Sequence, residues 1–170
     1  MYKTLKQFER DMTKNLAKYT TFLKGLTRRK VAGLGSKVHR LHLDAYKKID
    51  CGQCANCCKT MTPTYNKADV KRISKHVGMT EKEYWKKYLV IDENKDIVHQ
   101  KTPCHFLDKN NRCTIYAIRP SDCRLFPHTQ RKDFVYQRDI HIQNLDYCPI
   151  TYHIVEKLHA MVIENKKSID

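Results

Sequence analysis

Four thiols fall within eight residues, at Cys51, Cys54, Cys57 and Cys58 in the run C-G-Q-C-A-N-C-C, and four more follow at Cys104, Cys113, Cys123 and Cys148. Packing of small apolar groups does not call for a two-residue beat. Metal coordination does, because C-x-x-C lets two thiolates curl around one ion while the intervening amides face the sulfurs. Eight thiols suffice for two four-thiolate centres, or for one centre with reactive spares. A disulfide framework is the competing use of an even count, and it needs an oxidising compartment. The opening MYKTLKQFERDMTK carries early charges and lacks the apolar core of a secretory leader. No stretch approaches the roughly 20 apolar residues of a membrane span. The expectation is a cytoplasmic chain whose thiols stay reduced and hold a metal or cluster.

The ligands group in two ways. Cys51-x2-Cys54-x2-Cys57 has the spacing of bacterial ferredoxins, in which a remote Cys-Pro also supplies a cysteine, and Cys148-Pro149 is such a pair. On that reading a [4Fe-4S] cluster takes Cys51, Cys54, Cys57 and a distant cysteine, while Cys58 serves a second site. Alternatively, Cys51 and Cys54 join Cys57 or Cys58 and one downstream thiol in a closed tetrahedral zinc site. Both centres accept four thiolates, so spacing leaves iron–sulfur and zinc open. A radical S-adenosylmethionine pattern built on Cys54-x3-Cys58 would need a cysteine at 61, where Met61 stands. Arg112, Arg119 and Arg124 neighbour Cys113 and Cys123. Arg119 and Arg124 are the candidates to offset thiolate charge and donate hydrogen bonds to sulfur. His128 is a candidate replacement for a thiolate, whereas His105 on an extended segment should point away from the Cys104 face. Asp122 reads as a loop cap, or as a general base if the protein is an enzyme.

These residues must be positioned by short elements. Leu5, Phe8, Met12, Leu16, Tyr19, Phe22, Leu23 and Leu26 form one apolar stripe of a long helix. Ser36 is the expected N-cap of a second helix with Val38, Leu41, Ala45 and Ile49 on one face, completing an N-terminal helical hairpin. Asn66 should cap a short helix that ends near Gly78, and Thr80 with Glu83 forms a capping box. Two short strands are expected at Tyr88–Ile91 and Asp96–His99, and a second hairpin at Cys104–Tyr116 around D-K-N-N-R. Pro149 should open a C-terminal helix with Ile150, Ile154, Leu158 and Met161 inward. The fold class is therefore α+β: a mostly α-helical single domain with short β-hairpins around a cysteine-rich metal site.

The cysteine run, followed by P-C-H-F-L-D-K-N-N-R-C-T-I-Y-A-I-R-P-S-D-C-R-L-F-P, resembles the C-x-x-C-x-x-C-C family of zinc- or iron-chelating proteins. That family includes the bacterial flagellin lysine N-methylases. The resemblance covers about Cys51 to Cys148 and implies that Cys51, Cys54, Cys57, Cys58, Cys104, Cys113, Cys123 and Cys148 are the metal ligands. It also implies, as an alternative function, methyl transfer onto protein lysine.

Composition adds limits. The length suits one domain, divided into a basic helical hairpin at 1–50 and a cysteine-cluster region at 51–170. Five glycines leave only the G-x-G of Gly33-Leu34-Gly35, with no G-x-G-x-x-G fingerprint and no P-loop, so a nucleotide or cofactor site of the Rossmann type is unsupported. The formal charge is +15, and residues 1–50 carry 13 Lys/Arg against 4 Asp/Glu. Thiolates would offset part of the excess further along. The N-terminal excess is a solvated helix face, or it attracts an acidic partner, anionic lipid or nucleic acid. A nucleic-acid-binding zinc module is thus a further alternative. Its aromatics, however, sit on the apolar stripe and not among the lysines.

Overall fold

The computed structural model describes residues 5–130 and 133–164. In chain order its helices are α1 (Leu5–Leu26), α2 (Leu34–Lys48), α3 (Cys51–Cys54), α4 (Asn56–Thr60), α5 (Lys67–His76), α6 (Glu81–Tyr88), α7 (Ser121–Leu125), α8 (Arg138–Tyr147) and α9 (Pro149–His159). Two strands, β1 (Leu89–Ile91) and β2 (Ile97–His99), stand between α6 and α7. The protein is mostly helical with one small antiparallel sheet, the class expected from sequence. No helix among the described residues is long and apolar enough to cross a membrane.

Two compact units emerge. Met1–Cys51 and Pro127–Asp170 form one, and Gly52–Phe126 forms the other. The basic N-terminal segment thus packs with the C-terminal helices, although the sequence suggested a division into 1–50 and 51–170. The reason lies in α9. Ile150, Thr151, Tyr152, His153, Ile154, Val155 and Leu158 are all buried, which leaves this helix little face for solvent. It packs against α1, α2 and α8. Phe8 and Tyr19 of α1 meet the Tyr152 ring edge-on, with centroids 5.8 and 5.3 Å away. The Tyr152 hydroxyl donates to the Asp11 carbonyl (2.9 Å) and accepts from the Asn15 amide (3.1 Å).

Two expectations in this unit need correction. The N-cap of α2 is Gly33, not Ser36. Gly33 takes φ 63°, a left-handed conformation that costs a residue without Cβ little, so the helix starts before Ser36 is reached. At the other end, Met161 is exposed and Val162 is buried. Ala160–Glu164 is a π-helical turn, and its extra residue per turn rotates the inward position off the 3.6 period. Pro149 does stand in the first turn of α9.

The second unit is built around Tyr65, Val70, Ile73, Tyr84, Leu89, Phe106 and Ile115. Its helix starts are those the sequence announces. Asn66 and Asp69 form a capping box on α5, and Thr80 and Glu83 form another on α6. Gly78, between them, takes φ 71°. β1 pairs with β2 in the register Leu89↔His99, Val90↔Val98 and Ile91↔Ile97. The hairpin expected at Cys104–Tyr116 is reduced to one bridge, Leu107↔Cys113. Its turn does form: the Asp108 carboxylate accepts from the Asn110 and Arg112 amides, both at 2.8 Å.

Candidate metal centre

Six of the eight thiols lie in Gly52–Phe126, namely Cys54, Cys57, Cys58, Cys104, Cys113 and Cys123. Cys51, which is exposed, and Cys148, which is buried between α8 and α9, belong to the other unit. No disulfide joins any of the eight.

The cysteine run folds as two helical turns, α3 and α4, broken at Ala55. This buried residue has φ 47° and ψ 18°, a left-handed conformation that costs a residue with Cβ roughly 1–2 kcal/mol. The break starts a new turn for Cys57 and Cys58. The Cys58 carbonyl then accepts from the Cys104 amide at 2.7 Å, tying the run to a segment 46 residues away.

Cys104 and Cys113 are presented by matching turns. The Leu107 amide bonds the Cys104 carbonyl at 3.0 Å, and the Tyr116 amide bonds the Cys113 carbonyl at 3.2 Å. Within each turn the amide two residues on donates to the sulfur: Phe106 to Cys104 and Ile115 to Cys113. Leu107 also donates to the Cys104 sulfur, and Asn56 donates to the Cys54 sulfur with the same spacing. Phe106 and Ile115 are core residues, so packing fixes the amides that face the sulfurs.

Cys123 lies on α7, which is held by a buried carboxylate. Asp69, 1% exposed, accepts from the Ser121 amide (3.2 Å), the Ser121 hydroxyl (2.9 Å), the Asn66 amide (3.3 Å) and Arg72 Nη2 (2.5 Å). Arg72 also donates to the carbonyls of Ile118 (3.3 Å) and Arg119 (3.1 Å). One ion pair thus fixes residues 118–121, the approach to Cys123. Asp122 accepts from the Thr64 amide at 3.1 Å, a capping contact. Asp69, Arg72 and Ser121 were not singled out from sequence. Asp69 sits three residues after Asn66, which reads as ordinary helix capping and conceals its second partner 52 residues on.

Four thiols interact electrostatically with one another. Cys58, Cys104, Cys113 and Cys123 each lie within Coulombic reach of the other three. Cys54 feels Cys58 alone among them, and Cys57 hydrogen-bonds Cys58. Burial pushes Cys54, Cys104, Cys113 and Cys123 up, and neighbouring sulfurs add to that push. Cys123 is pushed furthest, by burial first and then by the Asp122 carboxylate. Cys58 goes the other way, to about 7, chiefly through the hydrogen bond from Cys57 and then, against burial, through Lys59 and Arg119. Among the described residues, no three Cys, His, Asp or Glu side chains are already drawn to coordinating distance.

Of the arginines proposed from sequence, Arg119 lowers both Cys58 and Cys113 electrostatically. It stacks on the Tyr116 ring at 3.8 Å and donates to the Tyr116 carbonyl at 2.7 Å. Arg124 is exposed and reaches the Ser121 hydroxyl at 3.5 Å. His105 is exposed, its ring 4.2 Å from that of Tyr88. His128 belongs to the other unit and takes φ 65°.

Turns that aim amides at neighbouring sulfurs suit a metal-chelating domain, and family comparison points to the same class. Residues 50–149 match the CxxCxxCC family, described as "Putative zinc- or iron-chelating domain". The chain belongs to that family. A Methanocaldococcus jannaschii protein described as uncharacterized, MJ0661, is 34% identical over 91 residues, which are 50% of this chain and 46% of that one. The aligned region therefore spans about half of the curated relative. No solved structure matches the chain.

Proposed function

We propose that this protein holds a zinc ion or an iron–sulfur cluster through the thiolates of Cys58, Cys104, Cys113 and Cys123, with Cys54 and Cys57 at the edge of the centre. The observation that carries this reading is the mutual proximity of those four sulfurs on elements far apart in sequence. The amides donated to Cys104 and Cys113 support it, because such donors stabilise a thiolate and not a thiol. The donor set fits both metals, since zinc and iron–sulfur centres each take four thiolates. A bound iron–sulfur cluster would supply one-electron redox chemistry, and a four-thiolate zinc would be a closed structural centre. The chain's own residues orient the sulfurs through turns, offset their charge with Arg119, and seat Cys123 through Asp69.

Anaerobic isolation of the native chain followed by metal and acid-labile sulfide analysis tests the reading. Iron with sulfide identifies the cluster, and stoichiometric zinc identifies the zinc form. Serine at any one of Cys58, Cys104, Cys113 or Cys123 is expected to strip the metal, while Cys51→Ser and Cys148→Ser retain it. Native protein without metal, or quartet variants that keep it in full, would reject the assignment.

A further inference from the structure

Two buried phenols stand behind the thiols with no hydrogen-bond partner beyond each other. Tyr65 is 5% exposed and Tyr84 is fully buried. Their rings are 6.4 Å apart, the hydroxyls interact with each other, and neither reaches hydrogen-bond geometry with any further described protein atom. A buried hydroxyl left so is costly, and a core that merely wanted an aromatic would have been served by phenylalanine. The core cluster containing both tyrosines is bordered by Cys104 and Cys113. The Tyr65 hydroxyl lies in the field of Cys104 and Cys123, and that of Tyr84 in the field of Cys104.

Resting on the proposed thiolate centre, we infer that Tyr65 is a positioning residue whose hydroxyl donates to the Cys104 or Cys123 sulfur once that sulfur is metal-bound, with Tyr84 donating to the Tyr65 oxygen behind it. The chemistry needs no proton to leave the phenol. Burial first, and then the neighbouring Tyr84 phenol, keep Tyr65 in its protonated, donating form. A hydrogen bond to a thiolate sulfur withdraws electron density from it and restrains its side chain. The orphaned hydroxyls are the donors that the turn amides leave room for on the core side of the centre.

The test is an anaerobic cobalt(II) titration of the full chain, wild type beside Tyr65→Phe and Tyr84→Phe. Wild type should show the intense sulfur-to-cobalt charge-transfer band of a thiolate site. Tyr65→Phe should bind the same stoichiometry with the band moved to longer wavelength and an affinity weaker by about 10- to 100-fold, the usual loss for an outer partner of a metal ligand. Tyr84→Phe should move the band the same way and less. An unchanged band and affinity in Tyr65→Phe, with cobalt fully bound, would overturn this inference and leave the metal centre standing. A wild-type chain that takes up neither cobalt, zinc nor iron would overturn both. If Tyr65→Phe does not fold, the cobalt-loaded minus cobalt-free difference spectrum of the wild type's tyrosine vibrations decides. A shifted phenol mode upholds the hydrogen bond, and a flat difference spectrum rejects it.

Discussion

Replacing Asp69 with alanine should destabilise the Gly52–Phe126 unit by about 3 kcal/mol. The carboxylate collects the Asn66 amide, the Ser121 amide and hydroxyl, and the Arg72 guanidinium. Removing one partner of a buried ion pair costs ~3–5 kcal/mol, because the other charge is left uncompensated. Arg72 is 31% exposed and can recover some hydration, which places the loss at the lower end. Asp69→Asn, which keeps the shape and loses the charge, should fall between the two. The chain's single tryptophan, Trp85, sits on α6 of the same unit, so urea unfolding followed by its fluorescence reads this change directly. The pH dependence supplies a second check. Burial alone would raise the Asp69 carboxyl, but the bonds from Arg72, Ser121 and Asn66 outweigh it and hold the group below its ordinary 3.8. A carboxyl lowered on folding stabilises fully above the unfolded value and loses that contribution as pH falls through the folded one. The wild-type and Asp69→Asn curves should therefore lie apart at neutral pH and converge below about pH 4. Because Arg72 also holds the carbonyls of 118 and 119, Asp69→Ala should weaken metal binding through Cys123 as well. A loss under about 1 kcal/mol, or curves that stay parallel into acid, would refute the idea that this carboxylate organises the approach to α7.

Three further outcomes follow from the same reasoning. Chelator treatment of the native protein should lower the urea midpoint seen by Trp85, since a ligand bound only to the folded state stabilises by mass action; an unchanged midpoint after verified metal loss would count against a metal-linked fold. Leu158→Ala, at a fully buried position of α9, should cost about 3 kcal/mol in thermal or chemical unfolding followed by helical circular dichroism. His141 is fully buried against the Phe134 ring at 4.0 Å, and burial lowers it to about 4. A base depressed on folding loses stability as pH falls from its unfolded 6.5 towards that value, so His141→Gln should remove about 3 kcal/mol of acid sensitivity over this window, measured as unfolding free energy against pH.

The legible parts of the fold are those with local causes. Asn66, Thr80 with Glu83, and Pro149 are read correctly because a cap or a fixed φ acts within a few residues. The β1–β2 pair is legible because its turn and its apolar strands adjoin. What fails is instructive in the same terms. Alternating sequence around Cys104 and Cys113 suggests paired strands, but the amides of Phe106, Leu107 and Ile115 turn towards sulfur, and a single bridge is all that remains. The spacing of the first four cysteines identifies the chemistry and not the grouping. Cys58, which the ferredoxin pattern sets aside, is in reach of Cys104, Cys113 and Cys123, and no local rule reports a contact 46 residues away.

The thiols themselves explain why such a centre would be cation-dependent. Each of Cys104, Cys113 and Cys123 is pushed up by burial, and neighbouring sulfurs add to the push (at Cys123 after Asp122), so that ionising one opposes ionising the next. Arg119 and Lys59 counter this around Cys54, Cys58 and Cys113. The fold supplies amides, an apolar backing and one anchored helix, while burial and mutual repulsion oppose ionising the four sulfurs together. On the proposed reading a bound cation provides compensating positive charge, and its attraction for each thiolate outweighs the repulsion among them. It also accounts for side chains that approach one another without yet converging: neutral thiols have no reason to meet at a point, and thiolates have one only when something positive stands there.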